Sequence, residues 1–233
     1  MMGVEEIRSE LRAASSVEDA RNYARFFKTG KGEYGEGDIF IGVRVPVQRR
    51  LSKKYWDISL GDVEILLKSG VHEERLTAAF ILCLKFAKGD DAVRRSVFDL
   101  YVRNFDCVNN WDLVDCSAHK IVGAFLKDRD REFLYELAHS SVLWERRISI
   151  ISTFAYIPDG DFSDALLLAE LLLKDEHDLI HKAVGWVLRE VGKKDETVLE
   201  EFLMKHSTNM PRTMLRYAIE KFEEEKRQFY LKR

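Results

Sequence analysis

Trp111 and Asp115 are the residues of this chain whose types and spacing most directly suggest chemistry. Residues four apart share one face of a helix, so an indole and a carboxylate would project together here. Both groups attract a cation, which suits a sugar or base that becomes positively charged during a reaction. The alternative is that Trp111 packs in the core while Asp112 and Asp115 interact with the positive end of a helix that begins near Asn109 or Asn110.

Two further candidates, Arg147 and Trp186, follow at repeat-like distances along the chain. Arg147 is either a surface salt-bridge partner or a phosphate clamp at a helix start. Trp186 follows Gly185, and a glycine in mid-helix costs about 1 kcal/mol relative to alanine, so it usually has a packing or an access reason, such as clearing space beside the indole. Lys182 and Arg189 would share the helix face of Trp186, which places an aromatic ring between two cations.

Basic residues surround the expected start of a helix at Pro46: Arg44, Arg49, Arg50, Lys53 and Lys54. A helix N-terminus together with cations forms a site for anions such as phosphate. The alternative is an ordinary solvated charged face. The net charge of −3 argues against a strongly basic protein, but a mildly acidic chain can still carry a basic groove.

Metal binding and hydrolase triads find little support in the sequence. Cys107, Cys116 and His119 include one Cys-x-x-His step, but no second paired-ligand motif follows, so we predict no metal and no cofactor. The other histidines are scattered and form no Ser/His/Asp arrangement.

The elements that must position these residues are helices, because apolar residues recur with a period near 3.6 and proline is scarce. Ser16 and Ser163 are candidate N-caps, and Gly70, Gly89 and Gly192 are candidate stops. The predicted helices are 4–13, 17–27, 47–56, 62–68, 76–87, 92–105, 113–126, 131–138, 147–156, 162–173, 180–191, 197–205 and 212–222.

Similar helix openings recur at steps of roughly 32 to 40 residues. This period is typical of two-helix HEAT-like units, which stack into a curved α-solenoid whose second helices line a concave face. We therefore predict an all-α fold in which residues 1–233 form a single repeat domain with a concave face, the face that would bind DNA if the family resemblance described below holds. The alternative is an irregular helical bundle. On the repeat interpretation, Trp111, Asp115, Arg147 and Trp186 would line one cleft.

Residues 29–42 break the helical pattern with five glycines. A glycine-rich stretch can bind phosphate through its backbone N–H groups, but this one matches neither the P-loop nor the dinucleotide fingerprint. We expect a flexible surface loop.

The three cysteines are read as reduced thiols, the N-terminus has no signal-peptide pattern, and we expect a cytoplasmic monomer.

Four segments resemble the bacterial DNA alkylation repair proteins of the AlkD type, which are HEAT-like repeat DNA glycosylases for alkylated purines. The segments are 40–50, 111–115, 144–147 and 182–190, and the likeness runs from about Val17 to Phe222. The chain departs from the family at Phe26, where a tyrosine is usual, and at Asp178 and Leu179, where bulkier aromatics are usual.

The resemblance implies that Asp115, Trp111 and Trp186 are catalytic and contact the deoxyribose of the damaged nucleotide. Arg147 would bind the adjacent phosphate, and Arg44, Arg49, Arg50, Lys182 and Arg189 would contribute to DNA binding. The implied activity is base excision repair: hydrolysis of the N-glycosidic bond of N3- and N7-alkylpurines in double-stranded DNA, without base flipping. Two alternatives remain: a non-catalytic repeat protein that binds branched or damaged DNA, and a protein-interaction scaffold.

Overall fold

The computed structural model describes residues 2–232, and these form helices joined by short turns. Within this range there is no strand, only an isolated parallel bridge between Ile39 and Val71. The all-α prediction is confirmed. The α-helices are α1 Met2–Ala13, α2 Val17–Phe26, α3 Val45–Lys54, α4 Leu60–Leu67, α5 His72–Lys88, α6 Asp91–Arg103, α7 Trp111–Ala118, α8 Ala124–Leu126, α9 Glu132–Ala138, α10 Leu143–Ser152, α11 Ser163–Leu171, α12 Asp178–Lys194, α13 Glu196–His206, α14 Arg212–Ala218 and α15 Glu224–Lys232.

The chain forms two compact units, a first that ends at Ile121 and a second that begins at Val122. The first unit is built around α5, which packs against α1, α3, α4, α6 and α7. The first eleven residues of α5 are all buried, so this helix is enclosed on every side. An enclosed helix must satisfy its polar side chains with partners from its neighbours.

The second unit is built around α12, which packs against α10, α11, α13 and α14. Gly185 lets α14 approach closely, because a Cβ there would lie 2.5 Å from the carbonyl oxygen of Met214 and 2.5 Å from Cβ of Tyr217. The glycine therefore serves helix packing, one of the two reasons that the sequence suggests for it, and clearance beside the Trp186 indole stays a prediction.

Several predicted helix ends are confirmed and several are wrong. Ser16 caps α2 by accepting a hydrogen bond from the Asp19 amide, and Gly89 follows the last residue of α5. Gly192 is no stop, since α12 continues to Lys194. Ser163 is the first residue of α11, and the capping position belongs to Phe162.

The predicted helix 113–126 is interrupted, because a π-helical turn, His119–Gly123, separates α7 from α8. The sequence also gave no indication of α15. Among residues 2–232, none of the helices combines the length and the apolar character needed to cross a lipid bilayer.

Candidate functional site

A cavity of about 800 Å³ opens in the first unit beside α7. Trp111 and Asp115 both line it from successive turns of the same helix, and both are half-buried. The rest of the lining includes aromatic rings and charged groups of both signs, among them Tyr23, Phe26, Phe27, Phe40, Phe80, Arg49, His72, Glu73 and Asp112. The Trp111 indole and the Asp115 carboxylate thus face one largely apolar space, and that pair suits a cationic ligand.

Local polar contacts fix the start of α7. Asn110 is the N-cap, and its side-chain oxygen accepts a hydrogen bond from the Trp111 amide at 2.9 Å. Asp112 accepts one from the Leu113 amide at 2.8 Å. The helix begins at Trp111, which confirms the start near Asn109 or Asn110 of the alternative interpretation and shows that the predicted start at residue 113 is wrong; the acid at the positive end of the helix is Asp112. Asp115 lies a turn further on, where the helix dipole acts less strongly.

The Trp111 indole lies at one end of a stack of rings. Its ring centroid is 5.1 Å from that of Phe27 with an interplanar angle of 10°. Phe27 stacks on Phe40 at 4.9 Å, and Phe40 stacks on His72 at 4.4 Å. Phe26, 65% exposed, meets Trp111 edge-on at 5.9 Å. The stack holds the orientation of the indole, while Phe26 is left accessible.

A buried polar network lies behind this stack. Asp38 and Asp112 flank His72, at 2.9 Å from Nδ1 and 2.8 Å from Nε2 respectively. Arg75 donates to Asp38 at 2.5 Å, and the Asn110 amide group donates to Asp38 at 3.1 Å. One carboxylate from the glycine-rich segment therefore contacts groups on α5 and the cap of α7.

The network shifts the pKa values of its members. Burial alone would lower the pKa of His72, but the hydrogen bonds to Asp112 and Asp38 outweigh it and raise this pKa to about 9. Burial would raise the pKa of Asp38, but contacts with His72 and Arg75 reverse the effect and lower it. His72 is therefore an imidazolium, and Asp38 a carboxylate, at neutral pH.

The glycine-rich loop is anchored where it approaches α3. The buried carboxylate of Glu73 accepts hydrogen bonds from three successive amides, those of Ile41, Gly42 and Val43, at 2.8 to 3.2 Å. Gly42 has a φ of +80°, a backbone conformation that glycine adopts without strain. The expectation of a wholly flexible loop is wrong for residues 38–43, which are fixed to the start of α5.

The predicted basic residues of α3 differ in their surroundings. Arg44 is the N-cap residue and pairs with Asp19 at 3.1 Å. The Arg49 guanidinium lies 4.2 Å from the centre of the Phe80 ring and lines the cavity. Arg50 is exposed. The helix itself begins at Val45, so all three basic residues lie within its cap or first two turns.

The second unit holds the other predicted site residues. Trp186 is half-buried, with its ring centroid 4.7 Å from that of Phe154. Arg147 is buried and donates a hydrogen bond to the Leu179 carbonyl. It is the fifth residue of α10, which begins at Leu143, so the predictions of a helix start and of a surface position are wrong. Its role as a phosphate clamp stays a prediction.

Lys182 and Arg189 lie on α12 with Trp186, and both are half-buried. Lys182 pairs with Asp178 at 2.6 Å, one turn earlier. Arg189 pairs with Glu190 and Glu220. Their assignment to DNA binding therefore requires exchange of these carboxylates for phosphate.

Cys116 lines the cavity, but neither it nor Cys83 is suited to act as a nucleophile. Burial raises the pKa of Cys83 to about 12 and that of Cys116 well above its usual range, so neither is a thiolate at neutral pH. Burial lowers the pKa of His119 to about 4. In the described part of the chain, no group of three or more His, Cys, Asp or Glu side chains is arranged to hold a metal ion.

Sequence reasoning missed Asp38, His72, Glu73 and Arg75: His72 and Glu73 line the cavity, and Asp38 and Arg75 contact His72. A signal was present, because His72-Glu73-Glu74-Arg75 is a run of polar residues that leads directly into the apolar stretch of α5. The four residues of this run are all buried. A charged run beside a buried helix is typical of a solvated end, so its partners could not be inferred from the pattern alone.

Comparison with known proteins agrees with these observations. A sequence model of the family described as DNA alkylation repair enzyme matches residues 7–222. Among solved structures, the fold is similar to one titled "Predicted DNA alkylation repair enzyme from Enterococcus faecalis", with a TM-score of 0.70 and 15% identity. The match covers 90% of this chain and 97% of that one. No curated protein matches the chain.

Proposed function

Because the chain belongs to the DNA alkylation repair enzyme family, we propose that it is a monofunctional DNA glycosylase. Its family gives the protein a role in DNA repair, and DNA is the substrate. The proposed lesions are N3- and N7-alkylpurines in duplex DNA, which already carry a positive charge on the base.

The observation that carries this proposal is the shared cavity of Trp111 and Asp115. Both residues face a largely apolar space of about 800 Å³ whose lining combines aromatic rings with charged groups of both signs. Water is partly excluded from such a space, so a carboxylate acts on a developing cation more strongly than it would in bulk solvent. An aromatic face adds attraction without competing for hydrogen bonds.

The proposed reaction is hydrolysis. The bond between C1′ of the deoxyribose and the purine nitrogen breaks, and its electron pair neutralises the alkylated base. Asp115 and the indole of Trp111 stabilise the oxocarbenium-like sugar that remains. The family resemblance implies that Trp186 is a catalytic residue as well. A water molecule oriented by Asp115 attacks C1′ and loses a proton to the carboxylate or to solvent. The products are a free alkylpurine and an abasic site.

The remaining predicted residues would bind the DNA backbone. Arg147 is proposed to contact the phosphate beside the lesion, assisted by Lys182 and Arg189 on α12. Arg44, Arg49 and Arg50 are proposed to bind phosphates at the N-terminus of α3. We assign no lysine as a Schiff-base nucleophile, so the strand stays intact until the abasic site is cleaved by other means. The base is proposed to remain stacked, as in the family that the sequence resembles.

The test is incubation of the protein with methylated duplex DNA, followed by chromatography of the released bases. We expect release of 7-methylguanine or 3-methyladenine, with strand breaks only after alkaline heating. Binding of branched DNA without release of a base would favour the non-catalytic alternative. Absence of both release and DNA binding would favour the scaffold.

A further inference from the structure

Trp111 is held on both sides by one buried network. Its neighbour Asn110 donates to Asp38, and its neighbour Asp112 contacts His72, which in turn contacts Asp38. The amide of Trp111 itself donates to the Asn110 side chain. The backbone on either side of the indole is therefore fixed by groups that belong to the glycine-rich segment and to α5.

Whether the hydrogen bonds of this network stay intact depends on the charge state of His72. Each ring nitrogen faces a carboxylate, and only the imidazolium has an N–H on both nitrogens. A neutral ring would direct a lone pair at Asp38 or at Asp112 and repel it. The side chain of His72 is 2% exposed, so water cannot replace the lost hydrogen bond.

The charges that face His72 balance only when it is protonated. Asp38 faces it from the glycine-rich segment and Asp112 from α7. Arg75, on α5, lies 3.5 Å from Nδ1 and pairs with Asp38. Glu73, the residue after His72, directs its carboxylate to the loop amides instead. Two carboxylates therefore face two cations, and deprotonation would leave one buried carboxylate uncompensated.

A second connection joins His72 to Trp111 through aromatic rings. Phe40 stacks on His72 with an interplanar angle of 25°, and Phe27 lies between Phe40 and Trp111. Displacement of the imidazole would shift the same stack that orients the indole. The polar contacts therefore fix the backbone at Trp111, and the stacked rings fix its indole.

We propose that the imidazolium of His72 is a positioning group for Trp111, holding the start of α7 through Asp112 and the indole through Phe40 and Phe27. Loss of its charge frees Asp112 and lets the first turn of α7 move. The inferred consequence for catalysis rests on the proposed function, whereas the inferred geometry of Trp111 does not.

The first experiment measures that geometry without any substrate. The protein is labelled with 5-fluorotryptophan, and the ¹⁹F resonance of Trp111 is identified from its loss in Trp111→Phe. We expect His72→Gln and Asp112→Asn to shift or broaden this resonance. In the wild type it should titrate with a midpoint near the pKa of His72, about 9. The resonances of Trp144 and Trp186, in the other unit, serve as internal controls.

His139→Gln is the matched control variant, since His139 is exposed at the end of α9. It should leave the Trp111 resonance unchanged. If His72→Gln fails to fold, Asp112→Asn and the wild-type titration still decide the question. The inference is overturned if the Trp111 resonance in the folded His72 or Asp112 variants matches the wild type, or if it does not respond between about pH 7 and 10.

The second experiment asks whether this positioning matters for base excision. With saturating enzyme, we expect the single-turnover rate of His72→Gln to fall between about 10-fold and 100-fold, as for a misplaced catalytic group. The Kd for DNA should change by less than about two-fold, because His72 contacts no proposed DNA-binding residue. An unchanged rate would remove His72 from catalysis. If the wild type releases no base, the proposed function fails while the ¹⁹F result still stands.

Discussion

Raising the pH should destabilise the first unit through His72. The pKa of this residue is 6.5 in an unfolded chain and about 9 in the fold. A group whose folded pKa is raised contributes stability that is complete below the unfolded pKa and disappears as the pH rises through the folded pKa. The loss should therefore begin above about pH 6.5 and be complete somewhat above pH 9.

The size of the effect follows from the same two values. Each pKa unit corresponds to about 1.4 kcal/mol, so the shift of His72 amounts to about 3 kcal/mol. The free energy of unfolding of an ordinary domain is about 5 to 15 kcal/mol, so the contribution of His72 is a substantial fraction of it. Asp38 acts with the opposite sign, because its lowered pKa makes its contribution disappear as the pH falls below the usual carboxyl range.

Urea unfolding of the fluorotryptophan-labelled protein, followed at Trp111 from about pH 6 to pH 10, measures this loss. The free energies of unfolding of the wild type and His72→Gln should differ most at pH 6, and this difference should shrink by about 3 kcal/mol at pH 10. The difference removes contributions common to both proteins, such as that of the buried Cys83 thiol. Parallel stability profiles would refute the reasoning, since they would mean that His72 is not protonated between its two carboxylates.

Three further predictions concern packing, the loop and DNA. Gly185→Ala should destabilise the second unit by about 1 to 3 kcal/mol in urea unfolding, because its Cβ would overlap α14. Gly61→Ala, whose Cβ would meet only ordinary contacts, should be neutral or stabilising. Glu73→Gln should accelerate hydrogen exchange of the three loop amides that this carboxylate binds. Arg50→Ala should reduce the slope of log Kd against log salt by about 1, whereas Arg95→Ala on α6 should not.

The fold could be predicted from the sequence wherever an apolar period marks one buried face. Each of the thirteen predicted helical segments corresponds to a helix or a pair of helices in residues 2–232. The predicted helix end at Gly192 is wrong because this glycine lies inside α12, where it packs against Leu199 of α13. The helix ends instead before Asp195, which caps α13 through the amides of Thr197 and Val198.

The site could be predicted only in part. Trp111 and Asp115 were found because four-residue spacing puts them on one face, and that geometry is local. The contacts of His72 are not local: Asp38 lies 34 residues before it and Asp112 lies 40 residues after it. No periodic pattern connects such positions. The start of α5 was placed at Leu76 for the same reason, since its first four residues are polar yet buried.

In the proposed mechanism the Asp115 carboxylate stabilises a cationic sugar. This role is measured by the single-turnover release of 7-methylguanine from a defined duplex by the wild type and Asp115→Asn. Asp99→Asn, a change of an exposed carboxylate on α6, is the matched control. We expect Asp115→Asn to lose at least about 100-fold in rate, as when one electrostatic group is removed from an active site, with DNA affinity retained. Equal rates for the wild type and Asp115→Asn would contradict the account.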